Sequence, residues 1–179
     1  MKKVALVVGH KPSSRGAYNE TSDVYEFDFN DKLVEAVEEE LTFGWFDKVE
    51  SVIIYRDTYT GLPGKIDAEN PDFIVSFHCN AFNKKAGGTE VLYYHKSKKG
   101  KKMADILQKH FLRRLGLKDR GVIGKTAEDR GGYLLRYTNA PCVIAEPFFI
   151  DNDDEYNSAD FDKLVLAYVD AIEEMADEF

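Results

Sequence analysis

The sequence predicts an α/β fold, a mostly parallel (doubly wound) sheet flanked by helices within a single domain. Three observations carry this prediction. The runs at 4–8 (Val-Ala-Leu-Val-Val) and 73–77 (Phe-Ile-Val-Ser-Phe) are nearly continuously apolar, as expected of strands covered on both faces. Strand-like and helix-like segments alternate, which implies right-handed crossovers between parallel strands. The final segment repeats its apolar residues cleanly at spacings of three and four, the mark of a helix with one buried stripe.

Taken in order, the first strand covers 4–8 and leads into a helix over about 25–41, with Phe29, Leu33, Val37 and Leu41 at helical spacing. Strands at 51–55 and 73–77 follow, then one at 89–94 whose mixed composition suits a place nearer an edge. A second helix over about 101–115 carries Met103, Ile106, Leu107, His110 and Phe111 on one stripe. The fifth strand, 142–146, precedes a closing helix with Phe161, Leu164, Val165, Tyr168, Val169, Ile172 and Met175 in its stripe.

The 179 residues suit one domain, 1–179, of a size that buries roughly 70% of its unfolded surface without staples. The net charge of −8 argues against nucleic acid, which is bound through clustered Lys and Arg. One basic cluster, Lys96-Ser-Lys-Lys-Gly-Lys-Lys102, reads as a solvated loop entering a helix, with binding to an anionic polymer as the alternative. No apolar run approaches the ~20 residues of a membrane span, and the run after Lys3 is too short for an export signal. Cys79 and Cys142 read as two buried thiols of a reduced compartment. No feature sets an oligomeric state.

Sites in open α/β sheets lie beyond the carboxyl ends of the strands. His10 falls two residues past the first strand, His78 just past the third, and Glu146 at the end of the fifth. If those strands are parallel, three distant parts of the chain deliver polar groups to one rim. Two histidines and one carboxylate are a common catalytic zinc set with a fourth position open. Of the other histidines, His95 borders the lysine-rich segment and reads as exposed, and His110 lies on an apolar helix stripe and reads as a packed core histidine. The carboxylate belongs near the start of the first helix, where Glu20 and Glu26 compete and Asp23 and Asp28 are weaker. Glu26 stands four residues before Asn30 and shares its helix face, although acids at helix N-termini are also favoured by the macrodipole. Glu146, between Cys-Val-Ile-Ala and Pro-Phe-Phe-Ile, has apolar surroundings that raise a carboxyl pKa and suit a general base. Its structural alternative is a buried ion pair with a Lys or Arg. Cys79 alternates to the face opposite His78 and is not counted as a ligand.

These residues resemble the zinc-dependent N-acetylmuramoyl-L-alanine amidases of bacterial autolysins and phage endolysins. The family's strand ending in Gly-His is matched by Val8-Gly9-His10, and its Glu-x-x-x-Asn helix by Glu26 through Asn30. Its Ser-x-His-x-Asn-Ala element is matched by Ser76-Phe-His78-Cys-Asn80-Ala81, the most specific match together with the final glutamate. Gly88-Thr-Glu90-Val91, Arg120-Gly-Val122 and Pro141-Cys-Val-Ile-Ala-Glu146 with Asn152 follow in the family's order. Where the family carries Asp-Pro before Gly-His, this chain has Val7-Val8. The loop after His10 also departs from the family's Gly-rich version, so Glu20 stays beside Glu26 as third ligand, with the Asn30 spacing favouring Glu26.

The resemblance implies an enzyme with zinc as cofactor, held by His10, Glu26 and His78, with Glu146 as catalytic base and peptidoglycan as partner. The bond cut joins the lactyl group of muramic acid to L-alanine of the stem peptide. Asn80 would hold substrate or orient its loop. The chain would be made in the bacterial cytoplasm without a visible signal peptide and act on the cell wall. A zinc peptidase cutting the stem peptide, and a non-catalytic peptidoglycan-binding relative, are the competing readings.

Overall fold

The computed structural model describes residues 1–43 and 48–179. In chain order the elements are β1 (Lys2–Val8), β2 (Tyr18–Asn19), β3 (Val24–Tyr25), α1 (Glu26–Phe43), β4 (Val49–Ile54), α2 (Leu62–Asp67) and β5 (Phe73–Phe77). There follow β6 (Thr89–Tyr94), α3 (Lys98–Leu115), β7 (Asp119–Lys125), α4 (Gly132–Tyr137), β8 (Cys142–Glu146), α5 (Asp153–Ser158) and α6 (Phe161–Glu178).

Among the described residues the main sheet has six strands in the order β4-β1-β5-β8-β6-β7. The strands β4, β1, β5 and β8 are parallel, so their carboxyl ends share one rim. β6 runs antiparallel to β8, and β7 runs with β6, so these two strands begin at that rim. The mostly parallel α/β fold predicted from the apolar runs is therefore present. β6 stands second from the edge, because β7 adds an outer strand that the sequence pattern did not suggest.

The two faces of the sheet are covered unequally. On one, Val4, Leu6, Val75, Phe77 and Val143 pack under α1, α3 and α6 in the larger core. On the other, Ala5, Val7, Ile74 and Ile144 meet Leu62 and Ile66 of α2 and Leu134 and Leu135 of α4. This split follows from the period of two along each strand. At the centre of the thick side Tyr168 is fully buried, stacked on Phe77 with ring centroids 4.1 Å apart. Burying a large apolar side chain such as Phe77 contributes about 1.5–3 kcal/mol.

The helix ends explain several boundaries. The side chain of Ser97 accepts from the Gly100 amide at 2.9 Å, which starts α3 at Lys98 rather than near 101. The lysine-rich segment is thus mostly the first turns of a helix, not the expected loop. Lysines there oppose the helix dipole, but Lys101 pairs with Asp105 at 2.7 Å and Lys102 pairs with Glu178. Gly116, with φ of 65°, ends α3 in the left-handed conformation that glycine adopts without strain. Asp160 caps α6 by accepting from the Lys163 amide at 3.1 Å.

No helix of the described residues is long and apolar enough to cross a membrane. Both cysteines are free and buried, and burial pushes both thiols above their ordinary range.

Candidate functional site

The parallel register brings the three strand ends together. Val8 pairs with Phe77, and Phe77 with Ala145, so His10, His78 and Glu146 emerge side by side at the rim. Two backbone bonds fix the exits: the Gly9 amide donates to the Phe77 carbonyl, and the His78 amide to that of Ala145, each at 3.0 Å. Gly9 has no room for a side chain, since a Cβ there would lie 2.8 Å from the His78 ring. His10 itself has φ of 67°, a left-handed backbone that costs a non-glycine residue roughly 1–3 kcal/mol and occurs mostly where a site requires it.

Glu26 is the carboxylate that joins them. It is 1% exposed, with Oε2 3.0 Å from His10 Nε2 and Oε1 3.0 Å from His78 Nδ1. The three candidate ligand atoms lie within 4.8 Å of one another. The competitors lie elsewhere: Glu20 is exposed and pairs with Lys84 at 2.7 Å, Asp28 pairs with Arg15 at 2.9 Å, and Asp23 accepts from the Tyr18 hydroxyl at 2.6 Å. Asn30, on the same helix face, is fully buried and accepts from the Cys79 thiol at 3.8 Å, which keeps Cys79 in the core.

The loop over 10–17 and the start of α1 form one unit. The Glu26 and Phe27 amides, which no intrahelical carbonyl can reach, donate to the Ala17 and Arg15 carbonyls at 2.8 and 2.9 Å. In return the Glu26 carboxylate accepts from the Ala17 amide, and from the Cys79 amide, at 3.1 Å each. Among the described residues these backbone bonds hold the carboxylate. Burial pushes the Glu26 carboxyl up, but the two neighbouring imidazoles outweigh it and hold the carboxyl well below its ordinary range. Gly16 closes the loop against the cluster and is the site residue that sequence reading missed. Its φ is +78°, and a Cβ would lie 2.6 Å from Glu26 Oε2.

The cluster fits a dication. His10 Nε2 is buried without a hydrogen bond, although Glu26 Oε2 is only 3.0 Å away, so its lone pair is aimed elsewhere than at that oxygen. Two imidazole nitrogens and a carboxylate converging in this way match the donor chemistry and ligand number of a zinc site with one position open.

Glu146 faces the same cavity of about 270 Å³ as His10 and His78. Its Oε2 is buried without a partner, and among the described residues no Lys or Arg pairs with it, so the ion-pair alternative falls away. Burial raises its pKa well above the ordinary value, helped by the negative charges of Glu26 and Glu90. Glu90 lies directly across from Glu146 in the sheet and is held by Asn80 Nδ2 at 2.8 Å and Arg120 Nε at 2.7 Å. Asn80 also bridges to Phe148 and Ile150 through its backbone, so it orients the loop while lining the cavity. His95 is exposed, and His110 is buried against Glu174 at 2.7 Å, both away from the cluster.

An α/β sheet with a histidine–carboxylate cluster and a half-buried glutamate at one rim defines a protein with a candidate hydrolytic metal centre. The chain belongs to the N-acetylmuramoyl-L-alanine amidase family, whose profile it matches over residues 4–174. The fold of an N-acetylmuramoyl-L-alanine amidase from Clostridium difficile 630 is similar, with a TM-score of 0.88, 21% identity and coverage of 98% of this chain and 97% of that one. The catalytic domain of CwlV, an N-acetylmuramoyl-L-alanine amidase of Bacillus (Paenibacillus) polymyxa var. colistinus, is 26% identical with a TM-score of 0.84, and 99% of each chain is covered. An uncharacterised cell wall amidase of Bacillus anthracis is 38% identical over 90 residues, 45% of this chain. The chain spans 16% of the length of that relative.

Proposed function

We propose that residues 1–179 form one catalytic domain that hydrolyses the amide between the lactyl group of muramic acid and L-alanine of peptidoglycan. In this reading the chain acts on the cell wall, and His10, Glu26 and His78 hold a zinc ion. The observation that carries it is the convergence, in one cavity, of that cluster with the unpartnered carboxylate oxygen of Glu146. Zinc supplies Lewis acidity, which polarises a carbonyl and acidifies water.

The remaining work belongs to the chain. Glu146 takes the proton of the attacking water and passes it to the leaving amine of L-alanine. Its secluded seat, which strengthens its hold on a proton, suits the first of these transfers. The Ala17 and Cys79 amides fix the Glu26 carboxylate so that both of its oxygens face the imidazoles. Asn80 holds the loop that follows His78 and presents its own edge to the substrate.

The test combines zinc stoichiometry with digestion of purified peptidoglycan by the wild type and by Glu146→Ala. One zinc per chain, new lactyl ends and free L-alanine amines from the wild type, and none from the variant are the expected results. New amines from other stem residues without freed L-alanine would assign the site to a peptidase instead. Absence of zinc from both proteins would remove the metal reading.

A further inference from the structure

We propose that Arg56, Lys125 and Arg130 form a carboxylate-binding subsite in this cavity, which selects stem peptides with a free carboxylate over their carboxamide forms. This inference rests on the amidase reading and adds to it what the site recognises beside the scissile bond.

The cavity lies on the thinly covered face of the sheet, between the segments that carry α2 and α4. Arg56 lines one flank, from the connection between β4 and α2. Lys125 and Arg130 line the other, at the end of β7 and just before α4. Alternation along β7 puts Lys125 on the same face as Ile123, which packs in the smaller core, so the lysine stem runs towards the cavity. Three cations from two separate connections thus ring one concavity.

Their lack of partners is the second observation. The chain has 32 acidic side chains against 24 Lys and Arg, and many of its surface cations are paired, as Lys65 is with Asp57 and Arg114 with Asp170. Among the described residues none of these three has an acidic group within ion-pairing distance, and none makes a side-chain hydrogen bond. The charges of Arg130 and Lys125 nevertheless reach into the cavity, where they act against the burial of Glu146. Cations left free around a site whose lining already holds Glu90 and Glu146 leave room for one added negative charge rather than several. A monoanionic carboxylate meets that condition, and the planar fork of Arg binds it through two parallel hydrogen bonds. Leu92, Leu134 and Ile144 line the same cavity and offer apolar contact to the aliphatic part of such a residue.

The test is calorimetric titration of the zinc-loaded full chain with C-terminally amidated L-alanyl-γ-D-glutamyl-L-lysine. The glutamyl α-carboxyl is supplied free or as the carboxamide. The wild type is expected to bind the free carboxylate about tenfold more tightly, the scale of charge-assisted hydrogen bonds. In the triple variant Arg56→Gln, Lys125→Gln, Arg130→Gln the preference should fall to about twofold or less, with zinc content and thermal midpoint unchanged. Equal binding of the two peptides by the wild type, no binding of either, or a preference that survives in the variant would overturn the subsite. If the preference is present while peptidoglycan digestion yields no new lactyl ends, the subsite stands and the amidase reading fails.

Discussion

Replacing Gly16 with alanine separates the fold from the cluster it carries. The new Cβ would lie 2.6 Å from both Glu26 Oε2 and His10 Cδ2 and 2.7 Å from His10 Nε2, where ordinary contact begins at 3.4 Å. The carboxylate or the imidazole must therefore retreat by more than half an ångström. A left-handed alanine costs about 1–2 kcal/mol, and overpacking a tight site about 1–3 kcal/mol, so the urea-unfolding free energy should fall by about 2–5 kcal/mol. Displaced supporting groups weaken metal binding by roughly 10–100-fold, and a misplacement near 1 Å slows a reaction by about 100-fold. Competition for zinc against a chelating dye and the rate of lactyl-end release measure these two effects. Gly64→Ala is the control, because a Cβ there meets nothing within 4 Å and the position lies inside α2. It should leave zinc affinity unchanged and stabilise the chain by about 0.5–1 kcal/mol. A Gly16→Ala protein with the wild-type unfolding midpoint and zinc affinity would refute the claim that this residue forms a wall of the cluster.

Glu146→Gln should keep its zinc while losing about 10²–10⁴-fold in rate, the range of general acid–base catalysis, as read by amine release at saturating substrate. In chelator-treated protein, burial holds the Glu146 pKa above its unfolded value of about 4.3, so the native state binds that proton more tightly. Stability from this group is then full at low pH and falls as pH rises from about 4.3 through the folded pKa; urea midpoints should show the slope in the wild type and not in Glu146→Gln. Glu26 has the opposite sign: its depressed carboxyl stabilises the fold above pH ~4.3 and less as acid protonates it, and a Glu26→Gln protein that kept the same acid limb would contradict this. Tyr168→Phe removes a buried hydroxyl that has no partner and should raise stability by about 1 kcal/mol in a thermal or urea melt; a loss would mean that the hydroxyl is satisfied.

Much of the fold was legible because its signals are long or doubly apolar. The stripes of α3 and α6 hold through their full lengths: Met103, Leu107 and Phe111, and Leu164, Tyr168 and Ile172, are all buried. β7 escaped notice because Asp-Arg-Gly-Val-Ile-Gly-Lys is an edge strand with two glycines and a largely exposed surface. α2, α4 and α5 have six residues each, too few for a helical period to declare itself, and α2 also opens on Leu-Pro. The reversed direction of β6 left no mark on its composition, since its first four residues are buried as fully as those of a parallel strand. At the site, His10, His78 and Glu146 were visible because each closes an apolar run. The Asn30 spacing favoured Glu26 over Glu20, but the loop path that sends Glu20 outward to Lys84 is not encoded in spacing, and Gly16 gave no more signal than any loop glycine.

The joint between the 10–17 loop and the first turn of α1 sets how the cluster opens. The Glu26 and Phe27 amides exchange with solvent only when they release the Ala17 and Arg15 carbonyls, and that release also frees the loop end that anchors the carboxylate through the Ala17 amide. Amide deuteration at these two positions therefore times the same event that would let a metal leave. The residence time of a bound ion would then be set by a local hinge, tunable by exposed loop residues such as Pro12 and Ser13.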